Sequence, residues 1–431
     1  MTFATRRATA PRLFRRLVPA ILGLTLLGVA PAEAATNIEA VEAASAAGPT
    51  RDRLRMNQRV FDRVWTEVQR EYYDPALHGL DWRAQRDLHR PLALDARDDR
   101  ELYAALDRML DLLDDDHAGA APPAVVRRQD GRRERRPVMG LTLYPEDDGV
   151  YRIERVRAGS PAEEARIGLG WRLDAVNGER WSPEIEVFDG EPVSLRLLDQ
   201  AGQARDVTLV PRLMDPLPAF TADRSRPGVL VLRVEGFERG LGRWMGSQLA
   251  DLPADTDVVL DLRANPGGLL MEADAVLSCF LPGDLAWATR TARSGRATPL
   301  KIRPACGDLK APAINDLAVL VSRTSRSAAE LTPAALQEAD RAVVVGQRTA
   351  GAVLISQDTL LPDGGRLTLS RADFVTAGGV RLEKRGVDPD IAISDDPTSA
   401  EGADLALEAA IVALRASHDA TKALSDQATP S

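Results

Sequence analysis

Apolar residues at Val60, Phe61, Val64, Trp65 and Val68 recur at i, i+1, i+4, i+5 and i+8, which predicts an amphipathic helix over 55–73. Glu101–Leu113 repeats the pattern, with Leu102, Leu106, Met109 and Leu113 on one face, and ends at the polar run Asp114-Asp115-Asp116-His117-Ala118-Gly119. Short strand-like runs then follow at Val138–Leu143, Val150–Val156, Val193–Leu198 and Val207–Val210. From about residue 228 the runs become continuously apolar: Val229–Val234, Val258–Leu262, Leu317–Val321 and Ala342–Val345, with helix-like segments between them. Unbroken apolar runs predict strands buried on both faces, as in a parallel α/β sheet. A last amphipathic helix is predicted over 403–416. The pattern divides the chain into a helical region over 35–119, a basic linker over 120–136, a β module over 137–213, an α/β core over 214–400 and a C-terminal helix and tail over 401–431.

The first 34 residues stand apart. Arg6, Arg7, Arg12, Arg15 and Arg16 precede the apolar stretch Leu17–Ala30, and Ala32-Glu33-Ala34 supplies small residues for cleavage. This is the plan of an export signal, and the apolar stretch is short for a membrane span. A periplasmic or secreted location follows, with membrane contact only through an uncleaved signal. Export would put Cys279 and Cys306 in an oxidising compartment, where a bridge and two buried thiols are both open.

Composition narrows the chemistry. Of 431 residues 44% are hydrophobic and 28% charged, which excludes general disorder. The net charge of −9 removes an overall electrostatic case for nucleic acid, and the basic run 127–136 reads as solvated surface. A mechanism that needs a Lys or His base has only four lysines (Lys301, Lys310, Lys384, Lys422) and four histidines (His78, His89, His117, His418) to draw on. Two cysteines and scattered histidines have no metal-ligand spacing, so no metal or other cofactor is expected.

Within the β module, Met139-Gly140-Leu141-Thr142-Leu143 is followed by Gly159-Ser160-Pro161-Ala162 and by Val176-Asn177-Gly178. This set resembles a bacterial PDZ domain, with Trp171 where that family commonly has Asp. The resemblance implies that Met139, Gly140, Leu141, Thr142 and Leu143 bind a peptide: loop N–H groups take its terminal carboxylate and the strand edge adds it as another strand.

Three segments of the core carry candidate chemistry. Asp261-Leu262-Arg263-Ala264-Asn265-Pro266-Gly267-Gly268 runs from a strand to a helix, where backbone N–H groups can hold an oxyanion. Ser322-Arg323-Thr324-Ser325-Arg326-Ser327-Ala328-Ala329-Glu330 makes a similar transition, where a serine is either a nucleophile or a helix N-cap. Pro333 is expected to kink or restart the helix that follows. The third segment, Gly346-Gln347-Arg348-Thr349-Ala350-Gly351, is followed later by Glu383-Lys384-Arg385-Gly386-Val387-Asp388-Pro389-Asp390.

In this order the motifs resemble the C-terminal processing, or tail-specific, serine peptidases. The resemblance implies an α/β core of the ClpP/crotonase-like sandwich type, with an N-terminal helical domain and a PDZ-like module. It also implies Ser327 as nucleophile and an oxyanion hole from Ala328 and Gly267 or Gly268. The best-known branch pairs its serine with a lysine, but that lysine's place here holds Ala352, followed by Val353. The tricorn-like branch uses a Ser/His/Glu set, whose places hold Ser327, His117 and Glu383. Asp116 precedes the histidine where that branch has Ser, and could share the carboxylate role; Lys384 is an alternative base. Two functions follow: an exported serine peptidase acting on proteins with apolar C-terminal tails, or an inactive PDZ-containing scaffold on the same fold.

Overall fold

The computed structural model describes residues 48–131, 134–146, 150–182, 185–393 and 404–427, with side chains to residue 416. The expected export signal, residues 35–47 after it and the side chain of His418 lie outside the described residues. Among the described residues no helix is long and apolar enough to cross a membrane.

The described residues begin with three α-helices, Arg51–Glu71, Trp82–Leu94 and Asp99–Leu110. Each begins at a side-chain cap: Thr50, Asp81 and Asp98 accept from backbone N–H groups of the first turn. A short 3-10 turn, Asp111–Leu113, and strand β1 (Gly119–Ala121) follow. The segment expected to be a linker is instead structured in part: β1 is followed by the helix Pro123–Asp130, started by Pro123 at its first position.

The β module comprises β2 (Arg136–Val138), β3 (Leu141–Pro145), β4 (Tyr151–Val156), β5 (Arg172–Val176), β6 (Glu179–Arg180), β7 (Val193–Leu198), β8 (Ala204–Leu209) and β9 (Arg212–Met214). The expected Val138–Leu143 run breaks at Met139-Gly140, where Gly140 has φ 93° and no space for a Cβ against Ser160. β3, β4, β5, β7 and β8 form an antiparallel sheet with β3 at one edge, and β2 pairs with β9 where the chain enters and leaves. Ile153, Leu173, Leu195 and Leu197 form this sheet's own apolar cluster.

The core contains β10 (Phe220–Asp223), β11 (Val229–Val234), β12 (Asp257–Asp261), β13 (Ala286–Ala292), β14 (Ala297–Lys301), β15 (Leu317–Val321), β16 (Val343–Gly346), β17 (Ile355–Leu360), β18 (Arg366–Thr376) and β19 (Ile391–Ala392). β11, β12, β15, β16 and β19 are parallel neighbours, and β10 closes one edge antiparallel. As the unbroken apolar runs predict, both faces are covered. One packs on the helices Leu241–Leu249, Leu270–Ser278 and Ala328–Glu338, and the other on the C-terminal helix Leu405–Gln427. A second, antiparallel sheet takes the order β1-β18-β13-β14, with β17 also on β18. Leu361, Leu367 and Leu369 from around β17–β18 join the apolar cluster of the first helices, so that cluster is completed by the far end of the chain. Cys279 and Cys306 are bridged.

Candidate active site

β15 is buried along its whole length at the centre of the parallel sheet, and its C-terminal end leads directly into Ser322–Ser327. This segment is stitched to the turn after β12. Ser322 Oγ donates to Arg263 O (2.7 Å), Ser325 Oγ to Leu262 O (2.9 Å) and Arg326 N–H to Asn265 O (3.1 Å). Ser325 is fully buried in these bonds and is a structural serine. Ser327 is different: its backbone sits at φ 53°, ψ −121°, immediately before the helix Ala328–Glu338. An ordinary N-cap serine has extended backbone. A non-glycine residue held in this sparsely populated region stores strain of about 1–3 kcal/mol, a feature that clusters at functional sites. The helix then runs through Pro333 to Glu338 without the expected restart.

The glycine turn lies directly against this serine. A Cβ on Gly267 (φ 102°) would stand 2.7 Å from Ser327 Cβ, and one on Gly268 (φ 142°) 2.4 Å from Phe237 O. Buried Asn265 holds the turn, donating to Val234 O (2.9 Å) and accepting the Gly267 N–H at 2.8 Å. Gly267 thus commits its N–H to Asn265, whereas the N–H groups of Gly268 and Ala328 have no acceptor among the described residues.

Glu330, which the sequence did not single out beyond its motif, is fully buried. Its carboxylate accepts from Thr349 Oγ1 (2.6 Å), Gly351 N–H (2.6 Å), Ala352 N–H (2.9 Å) and Ser327 N–H (3.1 Å). Ser327 N–H also reaches Ala352 O at 2.8 Å. The Thr349–Val353 loop is in turn bound to the 383–387 segment through Lys384 N–H to Gly351 O (2.7 Å) and Val387 N–H to Thr349 Oγ1 (2.7 Å). Ala352 is buried where the other branch has its lysine.

His117 follows a left-handed Asp114 at the end of the 3-10 turn. Its N–H donates to Asp115 Oδ1 (2.8 Å), and its Nδ1 lies 4.0 Å from the same oxygen. Glu383 is buried and accepts the Val353 N–H through Oε2 at 2.8 Å. Three polar atoms here are buried without a hydrogen-bond partner: His117 Nδ1, Asp115 Oδ2 and Glu383 Oε1. Ser327, His117 and Glu383 have no direct hydrogen bond to one another. Burial pushes the His117 pKa down; Asp115 opposes this and the Arg326 charge adds to it. Burial pushes Glu383 up, and the negative charge of Asp115 pushes it further. A lowered pKa favours the neutral imidazole, the state a general base needs.

The reserve candidates are occupied otherwise. Lys384 Nζ lies 3.3 Å from Asp114 Oδ1 and 3.4 Å from Asp116 Oδ2. Partial burial lowers its pKa but the two acids outweigh that, so it is raised overall, which makes it a poor base. Asp116 faces Lys384, and the carboxylate beside the histidine ring is Asp115. The Asp-rich turn was visible in the sequence, but which of its three acids turns inward depends on the left-handed residue at Asp114. Among the described residues no group of acidic, His or Cys side chains could hold a metal ion.

The family model for Peptidase family S41 matches residues 228–393, and that for the Tricorn protease C1 domain matches residues 56–111. The carboxyl-terminal-processing protease of Synechocystis is 27% identical over 357 residues, covering 77% of this chain and 80% of its own. The carboxy-terminal processing protease CtpB of Bacillus subtilis is 25% identical over 261 residues, covering 57% and 53%. Over residues 228–393 the chain matches Peptidase family S41, and the relatives it resembles are C-terminal processing proteases. It is a peptidase and not an inactive scaffold. Solved structures show the same fold. The photosystem II D1 C-terminal processing protease superposes with a TM-score of 0.59 at 22% identity, over 79% of this chain and 94% of that one. Tricorn protease gives 0.51 at 17% identity, over 84% and 36%.

Proposed function

We propose that this peptidase is exported and cleaves proteins presented by their C-terminal tails, using Ser327 as nucleophile, His117 as general base and Glu383 with Asp115 as the supporting carboxylates. The observation that carries the reading is the strained Ser327 backbone, pressed against Gly267 at a helix N-terminus. A hydroxyl aimed by such a turn needs only a neutral base beside it. His117 Nε2 would take the Ser327 proton as Oγ attacks the scissile carbonyl. Asp115, facing Nδ1, would fix the tautomer and favour the imidazolium that forms. The Gly268 and Ala328 N–H groups would receive the oxyanion. Collapse gives the acyl-enzyme and the leaving amine, which takes the proton from His117; water activated by the same imidazole then releases the acyl group.

The β module fits a PDZ-like role. β3 carries Leu141, Thr142 and Leu143 on a sheet edge, and Met139-Gly140 precedes it as a loop whose N–H groups could meet a tail carboxylate. The Cys279–Cys306 bridge supports an oxidising compartment, periplasmic or extracellular.

The test is cleavage of an unfolded protein with an apolar C-terminus, with products read by mass spectrometry. Wild type should cleave, and Ser327→Ala and His117→Ala should each lose about 10³-fold or more in rate. Full activity in either variant overturns that residue's role.

A further inference from the structure

A cavity of about 820 Å³ opens beside the nucleophile, between β3–β4 of the module and the turns after β12 and β15. Pro266 and Arg326 form its border with the active site, each one residue from the glycine turn or the serine. One wall is formed by Thr142–Tyr144 of the edge strand β3 together with Arg152–Arg155 of its neighbour β4. At about 820 Å³ the cavity has room for several substrate residues on the approach to Ser327.

Its charge is opposite to that of the protein. Six arginines and four carboxylates line it, in a chain with a net charge of −9. Five of those arginines are neutralised. Arg155 grips Glu235 at 2.9 and 3.0 Å, Arg263 pairs with Asp261 and Asp404, and Arg233 with Asp223 and Asp261. Arg152 and Arg323 both reach Glu154 at 2.6 Å. Arg326 alone among them has no carboxylate partner among the described residues, and its charge is close enough to lower the His117 pKa. A half-exposed guanidinium between a cavity and a catalytic serine is a ready partner for a carboxylate.

We propose that Arg326 forms a substrate subsite that binds a carboxylate next to the scissile bond, at the border of the cavity that β3, β4 and the turns after β12 and β15 line. The carboxylate is either the free C-terminus of a tail cleaved near its end or an Asp or Glu side chain. The inference rests on Ser327 as nucleophile.

The experiment uses the full chain and a synthetic apolar-tail peptide with a free C-terminus, its C-terminal amide twin, and Glu/Gln twins at each position flanking the scissile bond. Wild type should prefer one carboxylate form by about tenfold to a hundredfold in kcat/KM, the usual range for a charge-assisted hydrogen bond. Preference over the amide identifies the terminus; preference within a Glu/Gln pair identifies a side chain. Arg326→Gln should bring the ratio near one, and Arg326→Lys should keep part of it. The same ratios, read as affinities by titration into Ser327→Ala, keep the subsite testable even if hydrolysis fails, so loss of the nucleophile reading and loss of the subsite are separate outcomes. No carboxylate preference in wild type, or a preference that survives Arg326→Gln, overturns the proposal.

Discussion

At Gly267 there is no space for a side chain, because a Cβ would meet Ser327 Cβ at 2.7 Å and Arg326 O at 2.9 Å. Gly267→Ala should therefore shift the nucleophile and cost about 10²–10³-fold in kcat, comparable to loss of an oxyanion donor; single-turnover acylation rates check this. The charges around His117 give a signed pH prediction. Its lowered pKa puts the acid limb of kcat/KM below pH 6.5, the ordinary histidine value. Asp115 raises that pKa and Arg326 lowers it. Asp115→Asn should thus move the limb to still lower pH while reducing kcat, and Arg326→Gln should move it upward. A pH–rate profile in which Asp115→Asn moves the limb upward would contradict the assignment of Asp115 to the imidazole.

Glu330 acts at the scale of elements, joining the helix start at Ser327 to the Thr349–Val353 loop through four donors. Glu330→Gln keeps the volume but turns an NH₂ group toward N–H donors. Loss of a buried charge-assisted bond of this kind should cost about 1.5–3 kcal/mol, measured by urea unfolding. The Cys279–Cys306 bridge ties the end of the helix Leu270–Ser278 to the loop after β14 across a separation of 27 residues. Replacing both by Ser should destabilise the protein by roughly 3–4 kcal/mol on the chain-entropy account, read in the same unfolding assay.

For the molecule as a whole, the first helices depend on the end of the chain. Leu361, Leu367 and Leu369 complete their apolar cluster, and β1 pairs with β18. A chain starting at residue 122 should expose those leucines and lose native near-UV circular dichroism. A cooperative, wild-type-like unfolding curve from that chain would show that the core stands alone. The sequence by itself determined the parallel sheet, because strands buried on both faces must be apolar throughout, and Val229–Val234 and Leu317–Val321 match the observed strands residue for residue. It also determined the order of the serine, glycine and histidine turns, because each chemistry is encoded in a few adjacent residues. It could not reveal the helix Trp82–Leu94 or β13, β14, β17 and β18, whose half-buried patterns are broken by polar residues that pair across the fold. The family resemblance already singled out Ser327, but it did not show that Asn265 takes the Gly267 N–H or that Asp115 rather than Asp116 turns toward His117. Those choices depend on backbone dihedrals and on partners up to hundreds of residues away, which only the folded chain brings together.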